Sequence, residues 1–163
     1  MNKKFYIAGA GGMLGEAFYE VFSKSYEIKC TDIDCNEKWL SQLNFIDFET
    51  YREDVINFKP DYLFHLGAHT DLEYCEKNQK DAYETNTLSV INATKISNEL
   101  DIPILYISTA GIFDGGKDLY DDYDKPNPLS YYGKTKFEAE QHVIKNSNKY
   151  LICRAGWMMG GGI

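Results

Sequence analysis

The sequence predicts a doubly wound α/β fold, a parallel sheet with helices on both faces. Three observations carry that expectation. Short, nearly continuous apolar runs alternate with longer segments of helical period, as strands buried on both faces alternate with crossover helices. A glycine-rich turn, Gly9 to Gly15, stands at the first strand–helix junction. Pro60 and Pro103 each sit just before an apolar run, where proline stops the preceding helix. The chain has 163 residues, enough for one domain with its own core, so residues 1–163 are read as a single domain.

The expected strands are Lys4–Ala8, Glu27–Thr31, Phe45–Phe48, Tyr62–Leu66, Ile104–Ser108 and Tyr150–Cys153. The expected helices are Met13–Ser23, Glu37–Gln42, Thr50–Asn57, Ala82–Leu100 and Ser130–Lys145. In the fourth helix, Ala82, Val90, Ala93, Ile96 and Leu100 fall on one face. Thr109–Leu129 breaks the alternation. It is long, polar and rich in Gly, Asp and Pro, and it leaves the carboxyl end of a strand, where ligands bind in open α/β sheets.

Residues 7–15 read IAGAGGMLG, with Gly9, Gly12 and Gly15 spaced G-x-x-G-x-x-G and Gly11 added. Glycines there allow a tight turn and close backbone approach to a pyrophosphate. The amides of Gly12, Met13 and Leu14 open a helix whose N-terminus favours an anion. Asp32 follows the second strand at the distance expected of an acid that accepts hydrogen bonds from a ribose diol and repels a 2′-phosphate. This favours NAD(H) over NADP(H), with Asp34 as a rival acid. Asp47, with Phe48 next to it, ends the expected third strand, where it can reach an adenine edge or cap a helix.

At the other end of the chain, residues 131–136 read YYGKTK. Tyr132 and Lys136 are four apart and share a helix face, whereas Tyr131 has Thr135 at that spacing. A lysine ammonium beside a phenol favours the phenolate, so the pair can move a proton to or from a carbonyl oxygen. Thr109 leaves the fifth strand where its hydroxyl can face the Tyr132 phenol and hold the same oxygen.

Taken together, IAGAGGMLG, Asp32, FHLGAHT, ISTAGIFDGG and YYGKTKFEAE resemble the extended short-chain dehydrogenase/reductase family, and within it the dTDP-4-dehydrorhamnose reductase group of sugar-nucleotide enzymes. The resemblance implies a Rossmann domain, a catalytic set of Thr109, Tyr132 and Lys136, and cofactor contacts from Leu66, Gly67, Ala68, Tyr132 and Lys136, with Lys136 on the nicotinamide ribose. It also matches Asn86 to a family asparagine on the following helix, and Arg154–Trp157 to the stretch that opens the substrate site. The implied activity is NAD(P)H-dependent reduction of a nucleotide-linked 4-keto-sugar for surface polysaccharide. Two alternatives stay open: a sugar-nucleotide 4-epimerase that retains NAD, and a non-catalytic NAD-binding regulatory subunit. The family also implies a homodimer through the helices at Ala82–Leu100 and Ser130–Lys145.

Two departures shape these expectations. Ala110 stands where rhamnose-type reductases place Asp, and neither it nor Gly111 can supply the acid, base or thiol that other branches use there, so simple keto-sugar reduction fits best. Family members are roughly twice as long, with a sugar-binding second half, so residues 1–163 are expected to be the NAD(P)-binding N-terminal portion of a longer enzyme. Trp157, Met158 and Met159 are therefore expected to pack against later segments.

Composition excludes other classes. A net charge of −8 argues against nucleic acid and anionic membrane as partners. No apolar run is long enough to span a bilayer, and the start, Met1–Lys4, has no leader pattern, so a cytoplasmic chain is expected. Cys30, Cys35, Cys75 and Cys153 form no C-x-x-C pair and read as free, mostly buried thiols. His65 reads as a core histidine, and His69 and His142 have no metal-ligand spacing, so no metal site is expected.

Overall fold

The computed structural model describes residues 2–158. Six parallel strands form one sheet in the order β3-β2-β1-β4-β5-β6. The strands are β1 Lys4–Ala8, β2 Glu27–Asp32, β3 Leu40–Gln42, β4 Tyr62–His65, β5 Ile104–Thr109 and β6 Tyr150–Ala155. The helices are α1 Met13–Phe22, α2 Phe48–Phe58, α3 Leu72–Lys77, α4 Gln79–Tyr83, α5 Ser89–Glu99 and α6 Tyr131–Asn146. This strand order reverses direction between β1 and β4, and in open α/β sheets that switch point opens a crevice at the carboxyl ends of the strands.

Alternation along β1 divides the core. Tyr6 and Ala8 face a large cluster with Tyr51 and Val55 of α2, Val90, Ala93 and Ile96 of α5, and Ala139 and Val143 of α6. Ile7 faces the other way, toward Cys30, Leu40 and the α1 residues Phe18 and Tyr19. Helices therefore cover both faces, and Phe5, Phe22 and Phe64 add an edge-to-face aromatic cluster beneath α1.

Two expected elements are corrected. Glu37–Gln42 is not a helix; its end, Leu40–Gln42, is the third strand, paired with Cys30–Asp32 of β2. Phe45–Phe48 is not a strand. Phe45 packs edge-on against His65, and Asp47 starts α2 by accepting the Thr50 amide at 3.2 Å. A local cap outcompetes an extended run of four residues there. The expected helix Ala82–Leu100 is continuous in direction but contains a π-helical turn, Glu84–Leu88, between α4 and α5. Helix α3 was not anticipated. The cysteines are all free, but only Cys30 and Cys75 are buried. Trp157 is 96% exposed among the described residues, and Met159 lies outside them. No helix among the described residues is long and apolar enough to cross a membrane.

His65 is a core histidine, fully enclosed between the Tyr51 hydroxyl at 3.3 Å and Ser89 Oγ at 2.9 Å. Burial, helped by nearby Lys136, pushes it down to about 3. Below pH 6.5 the unfolded chain takes up a proton at this imidazole and the folded chain does not. Its contribution is therefore complete above that range and is lost as pH falls, by up to about 1.4 kcal/mol per pH unit. His65→Asn should flatten the decline in stability between pH 6.5 and 4, measured by urea midpoints. An unchanged slope would mean that other groups set the acid limb.

Candidate active site

A cavity of about 420 Å³ opens at the switch point. One end is the glycine turn. Gly9 has φ +74°, and a Cβ there would lie 2.1 Å from the Gly67 amide nitrogen, so β1 and β4 approach too closely for any side chain. A Cβ on Gly15 would meet Ala10 O at 2.2 Å, which seats α1 directly on the turn. Gly12 caps α1 without a side-chain hydrogen bond, and a Cβ on it would meet nothing within 4 Å. The first-turn amides thus face open space in the way an anion-binding helix N-terminus requires.

Asp32 closes this end. Its Oδ2 accepts the Gly11 amide at 2.7 Å and its Oδ1 the Ile33 amide at 2.7 Å. These bonds fix the carboxylate beside the turn and leave lone pairs for hydroxyl donors. Gly12, Met13, Leu14, Gly15 and Asp32 line the cavity with Gly9, as do Leu66, Gly67 and Ala68 from the end of β4. Gly11 contributes through its bond to Asp32. These features fit a dinucleotide: an open glycine turn, an uncapped helix start and a fixed acid at the second strand.

The other end is built by β5 and α6. Ser130 caps α6 by accepting the Gly133 amide at 3.0 Å, which places Tyr132 in the first turn and Lys136 one turn on. Gly133 lets the short turn Ala110–Ile112 come close, since its Cβ would lie 2.4 Å from Gly111 O. That contact brings Thr109 to Tyr132. Thr109 Oγ1 accepts the Gly111 amide at 3.0 Å, which leaves its hydroxyl proton to be donated toward Tyr132 or a bound oxygen. Thr109, Tyr132 and Lys136 all line it.

The electrostatics differ from the expectation that Lys136 would lower the Tyr132 phenol. Burial raises Tyr132, and the Thr109 hydroxyl is the group that opposes the rise. Lys136 is itself pushed down to about 7 by burial, and its Nζ lies 4.5 Å from the centroid of the Tyr106 ring. Both members of the pair are desolvated, so in this state each favours its neutral form.

Besides Gly11, the candidates Asp47, Phe48, Asn86 and Arg154 stand outside the cavity lining. Asp47 caps α2, and Phe48 packs on the main core under Lys95. Asn86 lies in the π-helical turn, where its amide binds both backbone groups of His69, at 2.7 and 3.0 Å, and Thr135 Oγ1 at 3.1 Å. It ties the β4 loop to α6 rather than facing the cavity, the kind of task for which a π-turn is kept. Arg154 turns away to Glu140, while the following Ala155 and Gly156 reach the cavity.

Several lining residues carry no sequence signal of their own: Phe45, His69, Thr70, Thr85 and Ser108. Glu140, fully buried beneath the site and outside this lining, carries no such signal either. It accepts from Ser108 Oγ at 2.6 Å and from Arg154 at 2.7 and 3.2 Å. The Thr109–Leu129 loop is ordered by its own side chains. Asp114 accepts from Tyr120, Asn127 and Gly116, which hold its carboxyl down at about 2.

With this geometry in view, comparisons with known proteins are informative. The family described as RmlD substrate binding domain matches residues 3–162. The chain is 30% identical to methionine adenosyltransferase 2 subunit beta of Bos taurus over 98% of its own length and 48% of that protein's. It is 29% identical to dTDP-4-dehydrorhamnose reductase of Aggregatibacter actinomycetemcomitans over 94% of this chain and 51% of that one. It therefore spans about half the length of the curated relatives it matches. Among solved structures, dTDP-4-dehydrorhamnose reductase from Bacillus anthracis in complex with NADP superposes with a TM-score of 0.88 at 29% identity, over 96% of this chain and 54% of that one. The switch-point cavity, the strand order and these matches agree: the chain belongs to the RmlD substrate binding domain family, within the extended short-chain dehydrogenases/reductases.

Proposed function

We propose that this chain is the dinucleotide-binding part of an oxidoreductase that reduces the keto group of a nucleotide-linked sugar. One observation carries the reading: Thr109, Tyr132 and Lys136 open onto the same cavity as the uncapped glycine turn. Gly9, the first-turn amides of α1, Asp32 and the Leu66–Ala68 segment would hold the dinucleotide. The nicotinamide, when bound, supplies the hydride. Thr109 orients the substrate oxygen with its hydroxyl, and Tyr132 donates a proton to that oxygen as charge develops on it. Lys136, when protonated, favours the phenolate that remains. An assay of NADH oxidation with dTDP-4-keto-6-deoxy sugars tests this directly, and a protein that binds NADH but consumes none with any nucleotide-linked keto-sugar would refute it.

Asp32 is the basis for a preference for NADH. Its carboxylate lies at the cavity, and Lys136, at the far end, is the one cation among the described lining residues. A 2′-phosphate would meet a like charge at Asp32 and no lysine or arginine at that end among the described lining residues. NADH should bind at least about tenfold more tightly than NADPH, a difference of about 1.4 kcal/mol, by fluorescence titration. Asp32→Ser should narrow the gap; tighter NADPH binding by the unmodified protein would take Asp32 out of the ribose site.

A second reading has its own support. The similarity to methionine adenosyltransferase 2 subunit beta favours a non-catalytic regulatory subunit that keeps the fold and the dinucleotide site. Retention of all three reacting side chains around one cavity favours the oxidoreductase, because a regulatory subunit has no use for the complete set.

A further inference from the structure

Lys136 is 3% exposed, and its Nζ makes no hydrogen bond or ion pair among the described residues. A buried ammonium with no anion beside it is costly to keep charged. What faces it is Tyr106, a fully buried residue in the middle of β5, whose ring centroid lies 4.5 Å from Nζ. The same residue reaches α6 a second time, because its hydroxyl donates to the Lys136 backbone oxygen at 3.1 Å.

We infer that Tyr106 is a positioning residue for Lys136: the face of its ring favours the ammonium form and keeps the side chain in place, and its hydroxyl fixes the backbone from which that side chain extends. The inference rests on the reading of Lys136 as part of the reacting set. A cation over an aromatic face is attracted by the ring quadrupole, most strongly where water is excluded. That attraction offsets part of the burial that pushes Lys136 down to about 7.

The surrounding groups do not supply a competing anion. From β4, in register with Tyr106, comes His65, neutral at pH 7 and already bonded to Tyr51 and Ser89. From α6 itself come Tyr132, one turn before, and Glu140, one turn after, which is engaged by Arg154 of β6 and Ser108 of β5. Cys75 of α3 lies near Tyr132, and burial holds its thiol protonated. Tyr106 is thus the group through which β5 acts on the lysine.

The test measures Lys136 ionisation by NMR in protein labelled at lysine 13Cε and 15Nζ, with Lys136→Arg to assign the signal. Tyr106→Phe keeps the ring face and should leave the midpoint nearly unchanged. Replacing Tyr106 by 4-fluoro-, 3,5-difluoro- and 3,4,5-trifluorophenylalanine keeps the shape while withdrawing charge from the face. The midpoint should fall with each fluorine, by about one pH unit across the series. The limb of the activity profile that follows Lys136 should move with it. A midpoint that does not respond to fluorination overturns the inference. A midpoint that moves while the activity limb stays upholds the placement by Tyr106 and instead removes Lys136 from the reaction.

Discussion

Replacing Tyr132 by Phe should cut turnover by about 10²–10⁴-fold, the range typical of a general acid, while leaving dinucleotide affinity nearly intact. The substitution removes one oxygen and keeps the ring that fills the space between Thr109 and α6. The features proposed to hold the dinucleotide are elsewhere: the amides after Gly9, Asp32 and the Leu66–Ala68 segment are all on the β1, β2 and β4 side of the cavity. Thr109 cannot take over, because a hydroxyl on an aliphatic carbon is a far weaker acid than a phenol. Steady-state rates beside NADH titrations separate the two quantities. Turnover close to that of the unmodified protein would mean that the proton comes from another group.

The second large effect concerns stability. Arg154→Met should destabilise the fold by about 3–5 kcal/mol, because it leaves the fully buried Glu140 carboxylate without its cation. Glu140→Gln should cost less. The Arg154 side chain keeps 22% exposure and can turn to water, where Asp122 already accompanies it. Glutamine can still accept the Ser108 hydroxyl. The asymmetry is the test, read from urea midpoints of both variants. Equal losses, or a larger loss for Glu140→Gln, would show that the pair is not held by burial of the carboxylate. Because Ser108 precedes Thr109, the arginine variant should also loosen the end of β5 at the reacting set.

Legibility of the fold followed the strength of local patterns. β1, β2, β4 and β5 are apolar runs bounded by turns or prolines, and each lies within a residue or two of its expected place. β3 was displaced because an edge strand of three residues shows only one buried side chain, Leu40, while the more apolar Phe45–Phe48 serves as a floor beneath Gly67 and a helix start. Helix α3 has six residues, too few for periodicity, although Asp71 accepting the Tyr74 amide is a readable cap.

In the site, residues with special backbone needs or distinctive spacing were legible, as Gly9, Tyr132 and Lys136 illustrate. Residues whose task depends on a distant partner were not. Glu140 reads as one more surface glutamate in KTKFEAE until Arg154 arrives from β6. Asn86 reads as a cavity residue until its amide is seen between His69 and Thr135. The rise at Tyr132 is hidden for a related reason: charge spacing along a helix is visible in sequence, but the desolvation of both groups is not.

The most direct test of the central claim follows a deuterium label. The complete protein would be incubated with [4,4-²H₂]NADH and dTDP-4-keto-6-deoxy sugars, and the sugar nucleotide examined by mass spectrometry. The account predicts a product heavier by one deuterium at the former carbonyl carbon, formed about 10²–10⁴-fold more slowly by Tyr132→Phe. Binding of the labelled NADH with no deuterium in any sugar would contradict it, and would leave the chain as a dinucleotide-binding regulatory subunit.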